Sequence, residues 1–284
     1  MAMALQRGKV IFRKTERELL RLSSGQHSET VHGFRTTVRR LQTLLEQLVP
    51  TRNRNQKKLL KMLNRIRKSA GKVRDIDVQL AALRSLKVPQ EPRRKTQLTQ
   101  GLLELRAQHE AKLRKLLKKG EIHELQKRLK RASKDVTFDS KRDPLAVAKQ
   151  LLSAVPLPSG PADEKTLHHY RIAVKRARYV AEFAPSSAEV TRFITQLKRL
   201  QDALGHWHDW LTLTHTAVER LGDVTQSSLV AALHNVTRGK FRQAVAEVSK
   251  TQTSRSPIPV PQVERSRRSA GKNPTPADQT GAAA

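Results

Sequence analysis

The chain has 284 residues and a formal net charge of +31, from 56 Lys and Arg against 25 Asp and Glu. The lack of cysteine excludes disulfides and thiolate chemistry. No run of about 18 apolar residues is present to form a transmembrane helix, and Met1 to Leu22 is too charged for a secretory signal, so a soluble cytoplasmic protein is expected.

Leu, Ile and Val recur at helical spacing and no segment alternates with period two for long, so the expected fold class is all-α. The spacing predicts a first helix over about 8–22 and a second over about 29–49, closed by Pro50. A third is predicted over about 52–70, with Gly71 as a break or a close-packing point, and a fourth over about 72–87. After a loop at 88–92, a long helix is expected to Lys119 and a short one to Ser133. Asp143-Pro144 reads as an N-cap followed by the first helical position, opening a helix to about residue 155. Further helices are expected over about 163–183, 187–204, 206–221 and 225–249. Residues 251–284 hold five of the 13 prolines and no aromatic, the composition of a disordered tail.

Two of these helices share a pattern. His32 is followed by Arg35, Val38, Arg39 and Arg40, and His168 by Arg171, Val174, Lys175 and Arg176, an offset of 136 residues. The repeat implies an internal duplication of a cationic helix, with a boundary near 135–143. At about 100° per residue, Arg35 and Arg39 share a side with His32 while Phe34, Val38, Leu41 and Leu45 take the other. Arg171, Lys175 and Arg178 are grouped in the same way beside His168. Each histidine is either a cap or packing residue, or a donor to a bound anion that favours its protonated form.

The third helix carries Arg54, Lys58, Lys61, Arg65, Lys68 and Lys72 at steps of 4, 3, 4, 3 and 4, a single cationic stripe opposite Leu59, Met62, Leu63, Ile66 and Val73. No acid occurs between Glu46 and Asp75. Solvated helix faces mix signs, because like charges at i, i+4 repel. An unmixed stripe points instead to an anionic partner, whether inorganic phosphate polymer, nucleic acid or an anionic membrane surface, and its six residues are read as candidates for binding polyphosphate. Arginine offers such a partner a planar fork and lysine a point charge.

The paired helices, each followed about 40 residues later by an element ending in Asp (Gly71-Lys72-Val73-Arg74-Asp75, and Gly205-His206-Trp207-His208-Asp209), resemble the CHAD domain, the conserved histidine α-helical domain. The resemblance spans roughly residues 5–249 and divides residues 1–250 into repeat one at about 5–135 and repeat two at about 140–249. It implies two helical bundles related by a pseudo-two-fold axis around a central basic groove or pore. It further implies binding of inorganic polyphosphate, often at cytoplasmic polyphosphate granules; the residues themselves lead to an expectation of no catalysis and no cofactor. Carried over by position, the ligand-binding residues are Arg35, Arg39, Arg40, Arg171, Lys175, Arg176 and Arg178, with His32 and His168 at the namesake positions. Gln42 stands where the second repeat has Arg178, and His206, Trp207 and His208 replace acidic or amide residues of the pattern.

The sequence also bears on three other chemistries. A nucleic-acid binder would use the same stripes on a phosphodiester backbone, but aromatics are only 4 % of the chain and no reader motif occurs. A phosphohydrolase lacks a convincing ligand set or a phosphate-cradling loop. His206-x-His208-Asp209 invites a metal, yet a helix sets positions 206 and 208 about 200° apart, which favours a helix segment with Trp207 or Trp210 in the core. For Asp75 and Asp209, pairing with neighbouring cations or capping a helix start is favoured over catalysis.

Overall fold

The computed structural model describes residues 2–88, 91–139, 142–155, 163–222, 225 and 227–253, and every element among them is a helix. In chain order these are α1 (Ala2–Ser24), α2 (Ser28–Gln47), α3 (Arg54–Ser85), α4 (Pro92–Lys115), α5 (Lys119–Asp135), α6 (Pro144–Ser153), α7 (Glu164–Ala181), α8 (Ala188–Leu221) and α9 (Ser228–Thr253). Thr251, Gln252 and Thr253 complete α9; the remainder of the expected tail lies outside the described residues.

Local chemistry fixes many of the helix ends. Asn53 and Gln56 form a reciprocal capping box at the start of α3, the Asn53 side chain accepting from Gln56 N and the Gln56 side chain from Asn53 N. The Asp143 carboxylate accepts from Leu145 N at 3.1 Å and Ala146 N at 3.0 Å, with Pro144 as the first helical residue. Asp163 and Ser187 cap α7 and α8 in the same manner. α4 stops at Lys115, short of the expected Lys119, because Leu116 N and Leu117 N bond back to Leu113 and Arg114 and tighten the last turn.

The expected breaks at Gly71 and near residue 205 do not occur: α3 and α8 run unbroken for 32 and 34 residues. A mid-helix glycine costs only about 1 kcal/mol, and the flanking residues outweigh it. Ala70, Val73 and Ile76 are buried around Gly71, as are Leu204 and Trp207 around Gly205. With no helix starting beside them, Asp75 and Asp209 are mid-helix residues rather than caps.

The two long helices join two apolar clusters. The larger takes residues from α1, α2, α5, α6 and α7, together with Leu59 to Val73 of α3 and Leu197 to Trp207 of α8. The smaller takes Ile76 to Leu83 of α3, Leu98 and Leu102 of α4, Leu213 and Ala217 of α8, and Leu229, Val230 and Leu233 of α9. Along both α3 and α8, the polar stretch carrying the Gly-to-Asp element falls where the helix passes from one cluster to the other. α2 packs on α1, α3 and α7, α7 packs on α2, α6 and α8, and α3 packs on α8, so four helices converge at this junction.

A methyl group at Gly71 would meet Arg35 Nη2 at 3.6 Å, an ordinary contact. Gly71→Ala is therefore expected to stabilise the fold by about 0.5–1 kcal/mol through reduced unfolded-state entropy, read as a higher urea midpoint. A lower midpoint would show that the backbone at this position needs glycine.

Candidate functional site

A cleft of about 680 Å³ opens where α2, α3, α7 and α8 meet. Phe34, Val38 and Leu41 anchor α2 in the core, and Tyr170, Val174 and Ala177 anchor α7; all are fully buried. Their opposite faces turn His32, Arg35 and Arg39 from α2, and His168, Arg171, Lys175 and Arg178 from α7, into the one cleft. α3 adds Arg74, Asp75 and Val78, and α8 adds Gln201, Asp202, His206, His208 and Asp209. Six Arg or Lys side chains thus meet three carboxylates.

Few of these charges are paired. Arg35 Nη1 donates to Asp75 Oδ1 at 3.3 Å, while its buried Nε has no partner. Arg74 Nη1 donates to Ser28 Oγ at 2.7 Å, tying α3 to the start of α2. Among the described residues Arg39, Arg171 and Lys175 make no side-chain hydrogen bond or ion pair, and the Arg171 Nε is buried without a partner. A buried cation left unpaired is costly, and the titrating groups record that cost. Burial, reinforced by Arg171 and Arg39, pulls Lys175 down to about 7. Burial also lowers Arg35 and Arg171 from their ordinary values, against the pull of Asp75 and Asp209 respectively. Asp209 is pushed up by burial, with Arg171 and Lys175 opposing the rise.

Histidines line the same space. The His168 and His208 rings lie with centroids 5.3 Å apart, tilted at 48° to one another, and the His208 Nδ1 is buried without a partner. Burial, then Arg171, takes His208 down to about 3. His32 and His168 are lowered by partial burial first, and then by Arg74 and Arg35 for His32 and by Arg171 for His168. All three rings are therefore held toward the neutral form.

Arg178 reaches the cleft but is partly committed, its Nη1 donating to Gln201 at 3.1 Å and its Nε to Glu182 at 3.1 Å. Arg40 lies outside the lining: its Nε and Nη2 grip Glu182 at 2.7 and 3.1 Å. Both guanidiniums sit over the Tyr179 ring, at 5.6 Å for Arg40 and 5.9 Å for Arg178. Arg176 faces elsewhere, into a hollow shared with Leu151, Val155, His169 and Ile172.

None of Arg54, Lys58, Lys61, Arg65, Lys68 and Lys72 lines the cleft, and all six are exposed. The α3 side chains that do reach it are Arg74, Asp75 and Val78, while Arg67 lies close enough for Arg39 and Arg35 to lower it further after burial. Arg67 and Arg74 escaped the sequence reading because the regular stripe drew attention to the other face. Their seven-residue spacing, with Gly71 between them, was the available signal. Trp207 is core, packed edge-on to Phe241 at 6.0 Å. Among the described residues no group of three or more His, Asp or Glu side chains is disposed to hold a metal ion, and no helix is long and apolar enough to cross a membrane.

The Lys175 shift has a sign that can be tested. Between about 7 and its ordinary 10.5 the unfolded chain holds the proton and the folded chain does not, so stability rises with pH across that window and the full cost of the buried charge is present below about 7. Lys175→Met is expected to raise the urea midpoint at pH 6, with a gain that shrinks toward pH 9. A gain that is the same at both values would mean Lys175 titrates normally.

A family model, that of the CHAD domain, matches residues 11–218. No curated protein matches the chain by sequence. Among solved structures, PptA from Streptomyces chartreusis superposes with a TM-score of 0.62 at 14 % identity, covering 89 % of this chain and 98 % of that one. The CHAD domain from the plant Ricinus communis superposes with a TM-score of 0.57 at 18 % identity, covering 86 % of each chain. At these identities the two structures speak to the fold alone.

Proposed function

The chain belongs to the CHAD domain family, and we propose that it binds inorganic polyphosphate in the α2–α3–α7–α8 cleft, without turning it over, and through that binding associates with polyphosphate granules. The observation that carries this reading is the set of unpaired cations in the cleft: among the described residues Arg39, Arg171 and Lys175 make no ion pair, and the Nε groups of Arg35 and Arg171 are buried without a hydrogen-bond partner. A chain of phosphates presents only anionic oxygens at short intervals, so each cation gains a partner and the repulsion among them is relieved.

The cleft suits nucleic acid less well. Among Phe, Tyr and Trp only Tyr179 is in its lining, buried and already covered by Arg40 and Arg178, and the other rings are imidazoles set among cations. Bases would find little to stack on. A duplex whose grooves alone are about 6 and 12 Å wide is too bulky for a space of about 680 Å³. The duplication read from the repeated His-x-x-Arg pattern belongs to the same proposal. α2 and α7 carry equivalent cations and each supplies one wall. The absence of turnover is tested directly by incubating the protein with polyphosphate and a divalent metal and assaying released phosphate, where sustained release would make it a hydrolase.

Substituting the unpaired pair, Arg39→Gln with Lys175→Gln, is expected to weaken retention on immobilised long-chain polyphosphate at least about tenfold at moderate salt, with helicity by circular dichroism unchanged. Arg176→Gln, outside the cleft, should leave retention near the parent's. Equal losses from the two variants would move the site away from the cleft.

Binding should also take up protons, because a bound polyanion favours charged Lys175, His32 and His168. Above about pH 7, where free Lys175 loses its proton, affinity is expected to fall by up to about tenfold per pH unit. Lys175→Arg, permanently charged, should flatten the profile between pH 7.5 and 9. A parent profile that is already flat over that range would remove Lys175 from the site.

A further inference from the structure

The stripe Arg54, Lys58, Lys61, Arg65, Lys68 and Lys72 has no role in the cleft, and we propose that it is a separate docking surface for the phosphodiester backbone of double-stranded nucleic acid. Every member is exposed, and among the described residues none makes a hydrogen bond or an ion pair. The stripe extends about 27 Å along one continuous helix at 1.5 Å per residue. Over that length a duplex presents about 16 phosphates at one charge per 1.7 Å of axis. A rigid, wide polyanion meets a row of this kind from outside, whereas it cannot enter the cleft.

Two observations argue that the stripe is not an accident of a basic composition. The first is asymmetry between the halves. At the 134-residue offset that brings Gly71 onto Gly205, the six positions fall on Ala188, Arg192, Thr195, Arg199, Asp202 and His206. The fold and the cleft therefore do not require the stripe, since α8 serves the same junction without it. The second is local reinforcement. Arg65 shares a hollow of about 210 Å³ with Lys115 and Lys118, which the α4–α5 turn brings alongside α3. Glu121 is the acid of that hollow, and it has no ion pair with Arg65 or either lysine among the described residues. Positive charge thus continues sideways from the stripe, widening it at mid-length.

The contacts would be to backbone phosphate rather than to bases. Lysines on a flat, exposed helix face offer point charges without an aromatic platform or an inserted wedge. Binding should be indifferent to sequence and strongly dependent on salt.

The test compares two full-chain variants of equal charge: Lys58→Gln, Lys61→Gln, Arg65→Gln and Lys68→Gln on the stripe, and Arg192→Gln, Lys198→Gln, Arg199→Gln and Arg238→Gln at exposed positions of α8 and α9. Each is titrated against a fluorescent 30-base-pair DNA duplex of mixed sequence over a salt series, and against long-chain polyphosphate. The expected result is that the stripe variant binds DNA at least about tenfold more weakly and loses about 3 to 4 from the log–log salt slope, while the control variant stays within about twofold of the parent. Polyphosphate retention by the stripe variant should remain near the parent's, which also shows that it is folded. Unchanged DNA affinity in the stripe variant, or an equal loss in the control, would overturn the proposal. So would a loss confined to polyphosphate. Failure of the cleft reading is distinguishable: Arg39→Gln with Lys175→Gln would then leave polyphosphate binding intact, whatever the stripe variant does to DNA.

Discussion

Mutual repulsion among cations held in a partly dry cleft is the constraint around which this molecule is arranged. Six Arg or Lys side chains share the space with three carboxylates, and the cost is visible in Lys175, pulled to about 7 by burial and by Arg171 and Arg39. Nothing local favours this grouping. It persists because the backs of α2 and α7 are fully buried through Phe34, Val38, Tyr170 and Val174, so core packing fixes both helices and their polar faces have no freedom to separate. Burial of an apolar side chain contributes on the order of 1.5–3 kcal/mol, and several such residues on each helix outweigh the repulsion of the cations behind them. The stability withheld at the cleft is available to a ligand that neutralises it.

Carboxylates divide the cations into those held and those left free. Glu182, at the end of α7, takes both Nε and Nη2 of Arg40 and also the Nε of Arg178, and Arg7 reaches its backbone carbonyl at 3.2 Å. This knot fastens α1, α2 and α7 together at one rim of the cleft. Asp75 holds Arg35 by a single, longer contact of 3.3 Å and is itself mostly exposed, so that pair is easily opened by a competing anion. Arg39, Arg171 and Lys175, between these two points, are held by neither.

The helical class was legible throughout the sequence because the apolar spacing is regular, and caps such as Asp143-Pro144 marked their helix starts correctly. The two-cluster architecture was not legible. Whether Gly71 and Gly205 end a helix depends on what packs around them, and only tertiary structure brings Ala70, Val73, Leu204 and Trp207 against their partners. The cleft was half legible. The repeated His-x-x-Arg spacing pointed to Arg35, Arg39, Arg171 and Lys175, because each helix had to turn that face away from its own apolar stripe. Arg40 and Arg176, on the flank of that face, could not be placed from spacing alone. Glu182 claims the first, and the second opens onto α6. On α3 the most regular feature lies on the outer face: an unmixed row of cations is conspicuous because it is solvated, whereas Arg74 lines the cleft as a single cation that no spacing singles out.

That contrast separates two regimes of electrostatics on one helix. The outer cations of α3 are exposed, and beyond about 8–10 Å their fields are screened at physiological ionic strength. They can guide a polyanion toward the surface, and hold it there only by acting together and only at modest salt. Arg35, Arg171 and Lys175 are largely removed from water, so their charges are screened much less than those of the outer row. Weak, additive, salt-sensitive attraction therefore belongs to the outer row, and tight, proton-linked attraction to the cleft. Because α3 turns one face to each, its periodicity alone keeps the two surfaces apart.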